Sequence, residues 1–347
     1  MTIYEQKMKE NNSVYVIAEM SANHNGSLET AKEMIYAIKE TGADCVKVQT
    51  YTADTITMDC RNEYFMLNGG TWNGQNLYDL YKTAYMPWEW QEELKKEANK
   101  LGLDFFSTPF DPTSVDFLES IGVEFYKIAS FEVVDIPLIK KVATTGKPII
   151  MSVGMASLAE IDEAVRIIKS YGNELALLKC SSAYPAVPEK MNLRTIQHLK
   201  ETFKVPVGLS DHSMGSVSAV TAVALGARII EKHICLSRDF GGPDSSFSME
   251  PKEFKQMVED VQMAAKAVGD VAYQVSEEEK SNYAVRKSIF VSKDVKKGEI
   301  LTPDNIRVIR PGYGLSPKFY EDVLGRKANR DLSFGEPLDM GMFGGKE

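Results

Sequence analysis

The chain has 347 residues, 44% of them hydrophobic and 26% charged, with a formal net charge of −9. That length suits a large domain with a small companion. No apolar run approaches the roughly 18 residues of a membrane span, and no Lys/Arg run is dense enough to neutralise a phosphate backbone, so neither a membrane nor a nucleic acid is expected as a partner. The opening MTIYEQKMKENNS is polar and lacks the apolar stretch of a signal peptide, which points to a cytoplasmic enzyme. Cys45, Cys60, Cys180 and Cys235 lie far apart without CxxC spacing and read as reduced thiols.

In chain order, short β-branched or apolar runs alternate with stretches of helical length and period. The first strand is predicted over 14–18, followed by a helix over 28–40 that Ser27 caps. A strand over 45–49 leads into a long connection, 51–88, rich in aromatics, Asn and Gly; a connection of this length is usually functional and is expected to cover a site. A helix over 87–101, a strand over 104–107 and a helix over 114–121 opened by Thr113 come next. Strands follow over 125–128 and 149–152, then a helix over 158–169 in which Ser157 and Glu160 form a capping box. The remaining strands are predicted over 175–180, 207–210 and 229–233, with helices over 215–225 and 251–268. Eight such units in about 270 residues match a closed (β/α)8 TIM barrel better than an open doubly wound sheet. The barrel is therefore assigned to 1–270, a polar linker to 271–285 and a small strand-rich domain to 286–347.

In a barrel the chemistry gathers at the C-terminal strand ends. Here those ends carry Glu19, Lys47, Gln49, Thr108, Lys127, Ser130, Glu132, Ser152, Ser182, Tyr184, Ser210, His212, Glu231 and His233. Period-two alternation sets Lys47 with Gln49, Ser210 with His212, and Glu231 with His233 on shared strand faces. Two lysines among Val, Ile and Phe call for anionic partners. Those are either Glu19, Glu132 and Glu231 or a bound anion, and the hydroxyls of Thr108, Ser130, Ser152, Ser182 and Ser210 suit phosphate or carboxylate oxygens. His212 and His233 end adjacent strands and are candidate ligands of one divalent cation. His24, in the NHNG loop, is open to substrate, metal or turn roles, and Asp244 lies in the Gly-Gly-Pro loop after strand eight.

The motifs IAEMSANHNGS, GADCVKVQTY, FFSTPFD, YKIASFE, SVGMAS, LLKCSSAYP, GLSDHS and EKHICLSRDFGGPDSSFSMEP resemble, in order, those of the sialic acid synthases, and the C-terminal segment resembles that family's antifreeze-like (SAF) domain. The resemblance implies a metal-dependent transferase that condenses phosphoenolpyruvate with an acylated amino sugar. It places Lys47, Thr108 and Lys127 at the phosphoenolpyruvate carboxylate, and Ser130, Ser152 and Ser210 around its phosphate. Ser182 stands where sialic acid synthases commonly carry Asn. His212 and His233 would hold the cation, manganese being expected with magnesium or cobalt as alternatives. Gln49, Glu132, Tyr184 and Asp244 would face the sugar, and Glu19, Asp244 and Glu231 are the candidate catalytic carboxylates. Arg310 would enter the site of the other chain in a domain-swapped homodimer. The EMSANHNGS opening and the TWNGQNLYDLYKTAYMPWEW insert are most similar to a branch whose acceptor is a 6-deoxy diacetamido sugar. A pyruvate aldolase would release no phosphate, and a non-catalytic sugar- or ice-binding protein leaves the lysines, hydroxyls and histidines unexplained.

Overall fold

The structure, a computed structural model, describes residues 13–346. The chain divides into two compact units, the first ending at Gly269 and the second starting at Asp270. In the first, eight parallel strands close into a barrel in chain order. They are β1 (Tyr15–Glu19), β2 (Cys45–Thr50), β3 (Asp104–Pro109), β4 (Tyr126–Ile128), β5 (Ile149–Ser152), β6 (Leu175–Cys180), β7 (Val207–Asp211) and β8 (Ile229–His233). The helices are α1 (Leu28–Thr41), α2 (Leu77–Ala84), α3 (Trp88–Lys100), α4 (Pro112–Ser120), α5 (Ile136–Ala143), α6 (Leu158–Ser170), α7 (Thr195–Phe203), α8 (Val217–Ala224) and α9 (Pro251–Val268).

Strand alternation splits the apolar residues into two layers. Outward residues such as Val16, Val46, Met151 and Ile230 pack on helix residues such as Met34, Leu94, Ile161 and Phe254, a layer in which each fully buried aliphatic contributes roughly 1.5–3 kcal/mol. Inward residues Tyr15, Ile17, Phe106, Ile150, Leu178 and Ile229 plug the barrel from within. That plug fills the interior and leaves the polar strand ends to form the mouth.

Local chemistry sets the helix starts. Ser27 accepts from the Thr30 amide, and Ser157 and Glu160 close the expected capping box. The start of α4 differs from the prediction: Asp111, not Thr113, is the cap, accepting from the Ser114 amide at 3.1 Å, with Pro112 at the first helical position. Strands β3 and β7 run on to Pro109 and Asp211, past the predicted Ser107 and Ser210. The long connection is partly helical, holding a turn over Ala53–Ile56 as well as α2. Asn76 caps α2 by accepting from the Tyr78 amide, while its own amide group donates to the Cys60 carbonyl at 2.8 Å.

The second unit contains two antiparallel pairs, β9 (Ser288–Val291) with β10 (Ile306–Ile309) and β11 (Arg326–Ala328) with β12 (Phe343–Lys346). They enclose a small core of Ile289, Val291, Leu301, Ile306, Leu332 and Leu338. A short helix, Lys280–Tyr283, lies within the segment read as a linker. Arg310 follows β10 and is exposed. Among the described residues, no helix is long and apolar enough to cross a membrane.

With Ser210 and Glu231 facing inward, alternation turns their neighbours Asp211 and Lys232 outward, beneath the helices. Both are buried, and the Lys232 ammonium donates to Asp211 at 2.7 Å and to the Ser213 carbonyl. Removing one partner strands the other charge, so Lys232→Met is expected to lower the barrel's unfolding free energy by about 3–5 kcal/mol in urea titrations. Pairing it with Asp211→Leu should recover most of that loss. A single variant as stable as the parent would contradict the account.

Candidate active site

Register brings the polar strand ends to one level of the barrel. Glu19 lies beside Lys47 on β2 and beside His233 on β8, Gln49 beside Thr108, and Ser210 beside Glu231. The result is a buried charge network. The Lys47 ammonium is 2.6 Å from Glu19 and 3.6 Å from Glu231, and the Lys127 ammonium is 3.0 Å from the same oxygen of Glu231. Of the three candidate counter-ions, Glu19 and Glu231 thus pair with the lysines, while Glu132 makes no such ion pair among the described residues. Lys47 also donates to Thr108 at 3.2 Å, and Ser210 to Glu231 at 3.1 Å.

Burial works to raise the Glu231 carboxyl, but Lys127 and Lys47 outweigh it and bring its pKa down to about 2. Glu231 is therefore an anion throughout the physiological range. Burial also leads at Glu19, and there it prevails over Lys47, so that carboxyl is raised. Beyond Glu19 the network runs outward. Gln49 donates to Glu19 and to the Ser21 hydroxyl, each at 3.0 Å, and Ser21 donates to Asp244 at 2.5 Å. Burial raises the Asp244 carboxyl as well.

On the other side of the mouth, Ser130 and Ser182 share a hydrogen bond of 2.8 Å. The shorter hydroxyl at Ser182 therefore stays within the serine group. The Ser152 hydroxyl is buried and has no hydrogen-bond partner among the described residues, so it is a donor without an acceptor. This grouping depends on a residue the sequence did not single out: a Cβ on Gly154 would come within 2.9 Å of Ser130 Cβ and collide with the Ser182 hydroxyl.

The rings of His212 and His233 lie 5.3 Å apart, edge to face, boxed by Tyr184 at 4.3 Å from His212 and Phe247 at 5.2 Å from His233. His212 Nδ1 sits 3.0 Å from the Ser181 carbonyl and 3.8 Å from Cys180 Sγ. A proton on Nδ1 leaves Nε2 free as a ligand atom in the neutral ring. Burial opposes charge on both rings. At His212 the Cys180 and Ser181 contacts prevail and raise the pKa, whereas His233 is lowered well below the usual histidine value, and its buried Nδ1 lacks a hydrogen bond. His233 Nδ1, 3.9 Å from the Asp244 carboxylate and without a hydrogen bond among the described residues, together with Nε2 of a neutral His212 offers lone pairs that fit a divalent cation. Among the described residues no three His, Cys, Asp or Glu are grouped to enclose an ion, so two imidazoles would leave its other positions to water and substrate oxygens. His24 is apart from this pair. It is fully buried, accepts the Gly26 amide at 3.0 Å and meets Trp90 edge-on, a turn role with its pKa lowered by burial to about 4.

The NeuB family matches residues 34–273, and the SAF domain matches residues 286–343. The chain belongs to the NeuB family. A pseudaminic acid synthase of Campylobacter jejuni (serotype O:2) is 45% identical over 331 residues, 95% of this chain and 96% of that protein. An N,N'-diacetyllegionaminic acid synthase of the same organism is 39% identical, covering 92% of this chain and 97% of that protein. The crystal structure of an N-acetylneuraminic acid synthetase from Leptospira borgpetersenii, in complex with citrate, superposes with a TM-score of 0.70 at 36% identity, covering 78% of this chain and 90% of that one.

In this NeuB-family barrel the Gln49–Ser21–Asp244 chain that runs out from the charged network borders a cavity of about 480 Å³. Gln49, Glu132, Tyr184, His233 and Asp244 line it together with residues of the long insert, among them Leu77, Leu80 and Tyr81 of α2. The expected cover is present. Trp72 donates from its indole N–H to the Pro243 carbonyl at 3.0 Å and packs its ring, tilted, 5.3 Å from that of Tyr184, and Thr71 donates to the Tyr184 carbonyl. Arg310 belongs to the second unit.

Glu132 has one buried oxygen without a partner, and burial pushes its pKa up to about 7. An unfolded glutamate gives up its proton near 4.3, so folding takes up a proton between those values and stability falls as pH rises through them. Denaturant midpoints of the parent should therefore decline between about pH 5 and about pH 8, and Glu132→Gln should remove that part of the decline. Parallel profiles for the two proteins would refute the assignment.

Proposed function

We propose that this enzyme is a pseudaminic acid synthase. It condenses phosphoenolpyruvate with 2,4-diacetamido-2,4,6-trideoxy-L-altrose and water, giving pseudaminic acid and phosphate. The observation that carries the reading is the 45% identity to a pseudaminic acid synthase over 95% of this chain. The 39% and 36% matches to the legionaminic and N-acetylneuraminic relatives support those substrates less well.

The chemistry of the strand ends supports the same reaction. Lys47 and Lys127 neutralise the anionic donor, with Thr108 at its carboxylate, and Ser130, Ser152, Ser182 and Ser210 offer donors to its phosphate. Glu231, held ionised, keeps the two lysines charged and in position. The methylene carbon of phosphoenolpyruvate forms a bond to the open-chain aldehyde carbon of the sugar. Water adds to the adjoining carbon, and the C–O bond to phosphate breaks. Gln49, Glu132, Tyr184 and Asp244 orient the sugar. Glu19 and Asp244, whose carboxyls are raised by burial, exchange protons with its oxygens. His212 and His233 hold a divalent cation, manganese before magnesium or cobalt, which when bound supplies Lewis acidity for the carbonyl and the water. The partner subunit's Arg310 completes the pocket, making a homodimer the working unit.

One experiment tests the reading. Phosphate release is followed with phosphoenolpyruvate carrying oxygen-18 in its bridging position, across a panel of amino sugars, before and after chelation and manganese addition. The 6-deoxy diacetamido sugar should be used best, the label should leave with phosphate, and chelation should abolish turnover until metal returns. Preference for N-acetylmannosamine, label retained in the sugar acid, or full activity in a metal-free sample would each overturn the corresponding part.

A further inference from the structure

Asn23, which opens the NHNG stretch after β1, is buried and has no part in the chemistry proposed above. Its side chain nevertheless joins separate pieces of the barrel mouth. One amide N–H donates to the carbonyl of Ile234, the residue directly after His233, at 2.8 Å, and the other donates to the Ser248 hydroxyl at 2.9 Å. A carbonyl can only accept, so the Ile234 contact fixes which end of the Asn23 amide is nitrogen. The amide oxygen then accepts, and the Ser245 hydroxyl is directed at it from 3.2 Å. Ser248 passes the connection on by donating to the Asp244 carbonyl at 2.7 Å. Asn23, Ser245 and Ser248 are all buried, so these bonds are made with little competition from water.

The contacts hold the backbone of the turn that carries Asp244, and the loop that carries Asn23 also supplies the partner of the Asp244 side chain. Ser21 donates to that carboxylate at 2.5 Å. It does so from a left-handed backbone conformation, φ 46°, which a residue with a Cβ rarely adopts. Such a conformation persists where its surroundings over-determine it. On the β8 side, His233 Nδ1 lies 3.9 Å from the same carboxylate. One asparagine side chain therefore ties together the three segments that bear Ser21, His233 and Asp244.

We propose that Asn23 is a positioning residue for the condensation: through Ser245, Ser248 and the Ile234 carbonyl it holds the Asp244 carboxyl in place against Ser21 and His233, where the sugar reacts. The inference rests on the proposed function and goes further, because it assigns the placement of a proton-exchanging carboxyl to a residue that touches neither substrate. Among the described residues, the hydrogen bonds of the Asn23 side chain reach none of Lys47, Thr108, Lys127 and Ser152. Its loss is therefore felt in the handling of the sugar and not in the binding of the anionic donor. A misplacement of about 1 Å in a reacting group costs on the order of 100-fold in rate.

The test measures kcat/KM for the 6-deoxy diacetamido sugar at saturating phosphoenolpyruvate in the parent, Asn23→Ala, Ser248→Ala and the double variant, with phosphoenolpyruvate affinity followed by calorimetry. Each single variant should lose roughly 10-fold or more in kcat/KM for the sugar, while phosphoenolpyruvate affinity stays at the parent value. The double variant should lose no more than Asn23→Ala alone, because the two residues act along one path. If Asn23→Ala does not fold, Ser248→Ala decides by the same two readouts. Parent-like sugar turnover in the folded variants, phosphoenolpyruvate affinity that falls in step with sugar turnover, or losses that multiply in the double variant overturn the inference and leave the proposed function standing. If the parent does not condense phosphoenolpyruvate with the sugar, the proposed function fails and the inference fails with it.

Discussion

Two lysines and two glutamates buried at one level of a closed barrel form the constraint on which the site depends. Lys47 and Lys127 converge on one oxygen of Glu231, and Glu19 closes on Lys47 from the neighbouring strand. Water is largely excluded there, so each charge is tolerable only because the others are present. The arrangement fixes the lysine heads without saturating the mouth. Among the described residues, the Ser152 hydroxyl, one oxygen of Glu231 and Nδ1 of His233 remain buried without hydrogen bonds. Such groups are unfavourable in a resting protein and suited to a ligand that brings its own charges and oxygens.

From that centre the site extends outward. Through Gln49, Ser21 and Asp244, hydrogen bonds connect the charged floor to the cavity, where burial keeps carboxyl groups inclined to hold a proton. The insert adds Leu77, Leu80, Tyr81 and Ala84 of α2 to the same lining, with a tryptophan whose donor is already engaged.

Much of this could be read from the sequence because strand alternation is a strict rule. Once β2, β7 and β8 are recognised, Lys47 with Gln49, Ser210 with His212, and Glu231 with His233 must share faces, and closure of the barrel brings those faces together. What could not be read was decided by contacts remote in the chain. His24 lies at a strand end as His212 and His233 do, but its ring meets Trp90, and no local spacing announces that. Asp111 displaced Thr113 as a cap because a carboxylate and a hydroxyl compete for the same amides, with Pro112 as the local clue that was passed over. Gly154 matters through a side chain it lacks, against serines some 24 and 28 positions away. Helix α2 was hidden in a segment whose Asn, Gly and aromatic content suggested an irregular loop.

The central claim is that the paired lysines exist to bind an anionic donor and do not merely brace the barrel. Calorimetric titration of phosphoenolpyruvate into the parent and into Lys127→Met, with circular dichroism to verify the fold, tests it most directly. The account predicts that a folded Lys127→Met chain loses affinity by about 100-fold or more, the order expected when one partner of a buried charge-assisted contact is removed. Unchanged affinity in a folded variant would contradict it.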